Sequence, residues 1–202
     1  MDQKTEPSTD SQDVTHFDQW AATYEQSIGQ IFFFRPVQAK MLKLLEQKGP
    51  KEPPKCIVDV GCGTGRLLRM MAVHWPKAQL IGVDPSEQML KEARLLNPIA
   101  EFKPGFAESL PLADESADIV LSSLSFHHWA NHKKGVQEIA RVLRPGGFFC
   151  LADHEMTLAK LFGEKVKSRN EIQAFMTDAG LTVRQHRGVG WRFVLITLAE
   201  KL

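Results

Sequence analysis

A glycine-rich segment at residues 58–65 constrains the fold of this chain more than any other part of the sequence. It reads Val-Asp-Val-Gly-Cys-Gly-Thr-Gly and lies between a short run rich in β-branched residues at 56–60 and an amphipathic helical pattern near 65–74. Glycines in such a turn let the backbone approach a ligand closely, because side chains there would collide with the ligand or force forbidden backbone angles. The segment therefore predicts a strand, a ligand-binding turn and a helix in that order.

Strand and helix patterns alternate after this segment. Besides the first strand and helix, the residues predict strands at 79–83, 100–104, 118–123 and 147–152 and helices at 86–95 and 131–142. Arg-Pro-Gly-Gly at 144–147 predicts a turn that ends the last of these helices and leads into the strand at 147–152. Strands that are joined by helices form a parallel sheet with both faces covered. We therefore expect a doubly wound α/β domain.

The C-terminal part of the pattern is different. A helix is predicted at 169–179, and two apolar runs at 181–187 and 191–198 are then separated only by a short turn at 189–190. A link this short joins antiparallel strands, because a parallel connection needs a crossover of a dozen or more residues. The expected sheet therefore has seven strands and is mostly parallel, with a C-terminal antiparallel hairpin.

The part before the first strand is expected to hold two helices, at 17–28 and 36–48, followed by a helix-breaking stretch at 49–54. Residues 1–15 are polar with little to bury, so they are predicted to form a disordered tail. With 202 residues in the chain, residues 16–202 are predicted to form a single domain.

Charge and cysteine content exclude several classes of function. The chain has 25 basic and 24 acidic residues, a net charge of +1, so we expect neither nucleic acid nor an anionic membrane as a partner. Its three cysteines, Cys56, Cys62 and Cys150, have no metal-ligand spacing, and no metal site is predicted. A secretory signal and an apolar run of about 18 residues are also missing from the pattern, so a cytoplasmic location is expected.

A second motif, Ile-Gly-Val-Asp at residues 81–84, places Asp84 at the end of the next strand, nineteen positions after Gly65. A carboxylate there is at the right distance to accept hydrogen bonds from both hydroxyls of a ribose. A dinucleotide fingerprint needs its third glycine at the position of Arg66, and a phosphate-binding P-loop needs Lys after Gly65. The two motifs together favour a nucleoside ligand over a dinucleotide or a nucleoside triphosphate.

The chain resembles the class I S-adenosylmethionine-dependent methyltransferases, in the broad branch that includes quinone-biosynthesis and many small-molecule methyltransferases. The resemblance covers about residues 16–153 and rests on ordered motifs at 59–65, 84–90, 107–111, 127–129 and 141–147. It implies a Rossmann-like fold with N-terminal helices covering the cofactor site. It further implies S-adenosyl-L-methionine as cofactor, a small-molecule acceptor, and a monomer or homodimer.

Carried over position by position, the resemblance assigns the amino-acid end and the ribose of the cofactor. It implies that Gly61 and Gly63 line the methionine part and that Asp59 holds its ammonium. Asp84 would hold the ribose. Ser123, at the end of the fourth strand, would approach the methionine part as well.

At the adenine end, the resemblance implies that Met89 packs on the ring and that the backbone of Ala107 meets its edge. Tyr24 would cover the cofactor from above. Many relatives carry Asp where this chain has Phe106, so stacking on the ring is expected to replace a hydrogen bond to the adenine amine. The cofactor-binding residues that we predict are Tyr24, Asp59, Gly61, Cys62, Gly63, Asp84, Pro85, Met89, Ala107, Glu108 and Ser123.

His128 is the predicted catalytic residue, because it follows the fourth strand at the end where open α/β sheets bind ligands. The alternative is that His127 and His128 hydrogen-bond the start of the next helix. A nucleic-acid amino-methyltransferase is disfavoured, because Ser-Ser-Leu-Ser at 122–125 replaces the Asn/Asp-Pro-Pro-aromatic stretch of those enzymes. A non-catalytic cofactor-binding or partner-binding module, or a methyltransferase for a carrier-bound or macromolecular substrate, remains an alternative.

Overall fold

The computed structural model describes residues 34–155, 166–190 and 193–202, and these form one seven-stranded sheet with helices. The order along the chain is α1 (Arg35–Lys48), β1 (Cys56–Val60), α2 (Arg66–His74), β2 (Gln79–Asp84), α3 (Glu87–Leu96), β3 (Glu101–Pro104), β4 (Ala117–Ser123), a 3₁₀ turn (Phe126–His128), α4 (His132–Val142), β5 (Leu143–His154), α5 (Arg169–Asp178), β6 (Leu181–Val189) and β7 (Val194–Lys201).

The sheet has the strand order β3-β2-β1-β4-β5-β7-β6. Strands β1 to β5 pair in parallel, whereas β7 pairs antiparallel with both β5 and β6. The predicted mostly parallel sheet with a C-terminal antiparallel hairpin is therefore confirmed. The order reverses between β1 and β4, and such a reversal opens a crevice at the carboxyl ends of these strands.

Apolar side chains fill both faces of the sheet. On one face the apolar stripes of α1, α2 and α3 pack on the sheet, through residues such as Met41, Leu68 and Leu90. On the other face α4 and α5 do so, through residues such as Ile139 and Met176. Strand β1 lies between these layers and is buried along its whole length, as expected for a central parallel strand.

Two polar side chains fix the helix starts beside the crevice. The Ser86 hydroxyl accepts a hydrogen bond from the Met89 amide at the start of α3, and the Asn131 side chain does the same for the Lys134 amide at the start of α4. These caps satisfy backbone donors that an isolated helix end leaves unpaired. The helix starts are thereby held in place next to the carboxyl ends of the strands.

Strand β5 differs from the sequence prediction, which placed a turn at 144–147 before a strand at 147–152. The strand begins at Leu143, directly after α4, and residues 144–147 form a bulge between the pairs Ala117–Leu143 and Ile119–Phe148. Arg144 donates to Asp118 at 2.8 Å, and Asp118 also accepts the Lys55 and Cys56 amides at 2.7 Å each. This network keeps the segment in the sheet.

The helix predicted at 17–28 and Tyr24 lie outside the described residues. Across the described parts of the chain, none of the helices is long and apolar enough to span a membrane.

Candidate functional site

The glycine turn between β1 and α2 has an unusual backbone. Gly61, Gly63 and Gly65 have φ angles of +72°, +51° and +73°, a region that L side chains rarely adopt. The Gly61 amide donates to the Val83 carbonyl at 2.8 Å, which ties the turn to the end of β2. A Cβ atom on Gly61 would also overlap the Ser125 side chain. The turn therefore requires glycine at this position for both conformation and space.

Asp84, at the end of β2, is 8% exposed and holds the same turn. Its Oδ2 accepts a hydrogen bond from the Gly63 amide at 2.8 Å, and its Oδ1 accepts one from the Ser86 amide at 2.9 Å. A carboxylate accepts about four hydrogen bonds, so these two are compatible with further bonds to ribose hydroxyls. Asp84 thus has a structural role that the sequence prediction did not include.

A groove of about 850 Å³, counted to its open mouth, runs along the carboxyl ends of the strands. The predicted residues that line it are Gly61, Gly63, Asp84, Pro85, Met89, Ala107, Glu108, Ser123 and His128. The structure therefore brings together residues from four separate sequence motifs in one groove.

One wall of the groove is formed by the segment after β3. Ala107 of this segment is buried, as is Met89 of α3, whereas Phe106 is 51% exposed and lies at the groove. The following loop is held by Arg141, which donates to the Leu110 and Leu112 carbonyls at 3.2 and 2.9 Å. Arg141 could not be assigned this role from the sequence. Hydrogen bonds between α4 and a loop about thirty residues earlier leave no pattern within a short window of residues.

A smaller polar pocket adjoins the groove beneath the glycine turn. It shares Gly61, Gly63 and Ser123 with the groove. Its remaining lining residues are Phe34, Gln38, Asp59, Cys62, Thr64 and Arg66. Among the described residues, the two predicted ones that do not line the groove, Asp59 and Cys62, are therefore found in this pocket.

The polar pocket contains buried oxygens that have no hydrogen-bond partner among the described residues. They are Gln38 Oε1, Asp59 Oδ1 and Ser123 Oγ. Burial, reinforced by the negative charge of Asp84, raises the pKa of Asp59 from 3.8 to about 8. Buried polar atoms without partners destabilise a protein, so the pocket suits a ligand group that carries several N–H donors. An ammonium group has that chemistry, so these three oxygens fit the amino-acid end of S-adenosylmethionine.

The two histidines after β4 have different surroundings. His128 lines the groove beside Trp129 and Ala130. His127 is buried, and its amide and its Nδ1 are each 2.7 Å from a carboxylate oxygen of Asp153 on β5. The two imidazole rings are 4.1 Å apart. The side-chain cap of α4 comes from Asn131 and not from either histidine. Of the two histidines, His128 is the one that lines the groove.

The groove and pocket residues that sequence reasoning missed include Leu124, Ser125 and Gln38. Leu124 has a φ of +57°, which is rare for leucine and gave no signal in the sequence. Ser125 hydrogen-bonds the Val60 carbonyl at 3.0 Å and so joins β4 to the glycine turn. Gln38 lies on α1, in a helix whose other buried residues are apolar. A single glutamine at a core position of an amphipathic helix is the one signal that could have been noticed.

Comparison with known proteins finds a methyltransferase domain in this chain. A family model described as a methyltransferase domain matches residues 58–151. A malonyl-[acyl-carrier protein] O-methyltransferase from Methylococcus capsulatus is 36% identical over 149 residues, which are 71% of this chain and 54% of that protein. A demethylmenaquinone methyltransferase from Chlorobaculum parvum is 38% identical over 136 residues, 65% of this chain and 55% of that protein. The chain thus spans about half the length of these curated relatives.

The fold is also found in solved structures. The crystal structure of the [4+2]-cyclase SpnF matches with a TM-score of 0.80 and covers 96% of each chain at 17% identity. Similarity at this identity concerns the fold alone. The matched domain, the relatives and the Rossmann-like sheet agree with the resemblance found in the sequence, and S-adenosyl-L-methionine is the cofactor that they imply. These findings support a class I S-adenosylmethionine-dependent methyltransferase, with the methyltransferase domain matched over residues 58–151.

Proposed function

We propose that this chain binds S-adenosylmethionine across the polar pocket and the groove and transfers its methyl group to a small-molecule acceptor. The observation that carries the proposal is the polar pocket, where buried oxygens of Asp59 and Ser123 need donors and adjoin the glycine turn. That pocket would hold the amino-acid end. Asp84 would hold the ribose, and Met89 with Ala107 would hold the adenine in the groove.

The cofactor, when bound, supplies a methyl group that is already activated on a sulfonium sulfur. The task of the chain is then to orient an acceptor and to exclude water. Trp129 provides an apolar wall at the acceptor end of the groove. His128 lies on the same wall, and a neutral imidazole there can accept the proton of a hydroxyl or of an acidic carbon.

Two acceptor classes follow from the relatives. One is named for a malonyl group on an acyl-carrier protein, and the other for demethylmenaquinone. The net charge of +1 provides no strong attraction for an acidic carrier protein. We therefore propose a free small molecule as the acceptor, and a carrier-bound acceptor is the alternative.

A labelled-methyl assay tests the proposal. The chain is incubated with S-adenosylmethionine labelled in its methyl group, together with a metabolite extract, malonyl-acyl-carrier protein or demethylmenaquinone. Label should appear in a small-molecule product, and a Gly63→Val variant should give none. Label on the carrier protein alone would establish the alternative acceptor.

A second candidate function is binding without methyl transfer. It is favoured by one observation, that a protein described as a [4+2]-cyclase has this fold with a TM-score of 0.80. Fold and function are separable in this way because chemistry resides in the site. Cofactor binding in calorimetry with no label transferred to any acceptor class would establish this second candidate.

A further inference from the structure

Gln38 is a polar residue at a core position of α1. The helix buries Val37, Met41, Leu44 and Leu45 against the sheet, and Gln38 is only 6% exposed beside them. A buried amide without a hydrogen bond destabilises the folded chain. An apolar residue would pack at this position without the cost of burying an unpaired polar atom. Packing in the core therefore does not explain why position 38 is glutamine.

The Gln38 amide lies at the polar pocket, where three elements of the fold meet. Gln38 is on α1, Asp59 is on β1 and Ser123 ends β4. The side-chain oxygens Gln38 Oε1, Asp59 Oδ1 and Ser123 Oγ are buried and have no partner among the described residues. Three acceptors on one pocket match the three N–H donors of an ammonium group.

We propose that Gln38 is a specificity-determining residue, which accepts a hydrogen bond from the ammonium group of the cofactor and so makes α1 recognise the amino-acid end of the ligand. This assignment rests on the proposed function. Asp59 supplies a carboxyl group at the same pocket, and Gln38 supplies an amide oxygen from α1. Ligands that carry the nucleoside but lack the amino-acid end should therefore bind independently of Gln38.

The test compares two ligands that differ only at that end. S-adenosylhomocysteine carries the amino-acid group, and 5′-methylthioadenosine lacks it. Affinities of the full chain for both are measured by calorimetry, for the wild type, for Gln38→Met and for Gln47→Met. Methionine keeps the length and the helix preference of glutamine but has no strong acceptor. Gln47 is exposed on the same helix and provides the matched control.

Gln38→Met should weaken S-adenosylhomocysteine about tenfold, the factor for a lost hydrogen bond to a charged group, and should change 5′-methylthioadenosine by less than twofold. Gln47→Met should leave both affinities unchanged. Since Gln38→Met removes a buried amide oxygen that has no partner among the described residues, its ligand-free melting temperature should equal or exceed that of the wild type. A Gln38→Glu variant, which restores an acceptor, should recover the affinity for S-adenosylhomocysteine.

Equal weakening of both ligands, or of neither, by Gln38→Met would overturn the assignment while leaving the proposed function standing. Failure of the wild type to bind either ligand would instead overturn the proposed function, and the assignment with it. A lowered melting temperature together with loss of both ligands would show that Gln38 has a structural role only.

Discussion

Asp59→Asn is expected to make the ligand-free chain more stable while it weakens cofactor binding. Asp59 is 2% exposed, and burial together with the charge of Asp84 raises its pKa from 3.8 to about 8. At neutral pH the folded chain therefore holds a proton that the unfolded chain has released. Asparagine has nearly the same shape and never needs that proton.

The sign and size of the effect follow from this difference in proton binding. Because the pKa of Asp59 is higher in the folded chain, the folded state binds more protons between about pH 4 and pH 8. The free energy of unfolding due to this residue is thus highest below about pH 4 and falls as the pH rises to about 8. Each pH unit corresponds to about 1.4 kcal/mol, so the penalty at pH 7 is on the order of 4 kcal/mol.

Urea unfolding of the ligand-free wild type and of Asp59→Asn at pH 5 and pH 8 measures the effect. The variant should be more stable at both, and its advantage should grow by roughly 3–4 kcal/mol from pH 5 to pH 8. Titrating groups that are not coupled to Asp59 contribute equally to both proteins and cancel in the difference. An advantage that does not change with pH would refute the reasoning.

Asp118→Asn is the matched control with the opposite sign. Although partial burial acts to raise the pKa of Asp118, hydrogen bonds from the Cys56 amide, Arg144 and the Lys55 amide lower it below 3.8. Its contribution to the free energy of unfolding is therefore present above about pH 4 and is lost at lower pH. Asp118→Asn should accordingly destabilise the chain at both pH 5 and pH 8.

Three further substitutions test other parts of the site. Gly63→Val should abolish S-adenosylmethionine binding in calorimetry, because its φ of +51° disfavours a branched residue and its amide must reach Asp84; a normal titration of the folded variant would contradict this. Arg141→Ala should lower the free energy of unfolding by about 1–2 kcal/mol in urea, since it frees the loop carbonyls of Leu110 and Leu112; unchanged stability would exclude that tie. His128→Ala should reduce kcat by 10²–10⁴-fold with cofactor affinity within twofold; a loss below about tenfold would remove the base role.

The mostly parallel sheet and the ligand site at its edge could be predicted largely because their signals are local. Glycine spacing at 61–65 and the alternation of apolar runs are visible within windows of a few residues. Parallel strands end at one edge of a sheet, so motifs that follow different strands had to converge. For that reason Asp84 and Ala107, twenty-three positions apart, were expected at one ligand, and both line the groove.

The remaining features depend on contacts between elements that are distant in sequence. Asp153 binds the backbone and ring of His127 across twenty-six positions, and no periodic pattern reports such a pair. The bulge at 144–147 was predicted as a turn, because Pro and Gly mark both structures in a sequence. The strand continues on both sides of residues 144–147, because Leu143 pairs with Ala117 and Phe148 pairs with Ile119.

The proposed function depends on the binding of S-adenosylmethionine through Asp84 and the glycine turn. This binding is tested by calorimetric titration of the wild type and of Asp84→Ala with S-adenosylmethionine, and of the wild type with NAD⁺. We expect saturable binding of S-adenosylmethionine, no binding of NAD⁺, and a loss of about 1.5–3 kcal/mol in Asp84→Ala through missing charge-assisted hydrogen bonds. Binding of NAD⁺ in preference to S-adenosylmethionine, or equal affinity in a folded Asp84→Ala variant, would contradict it.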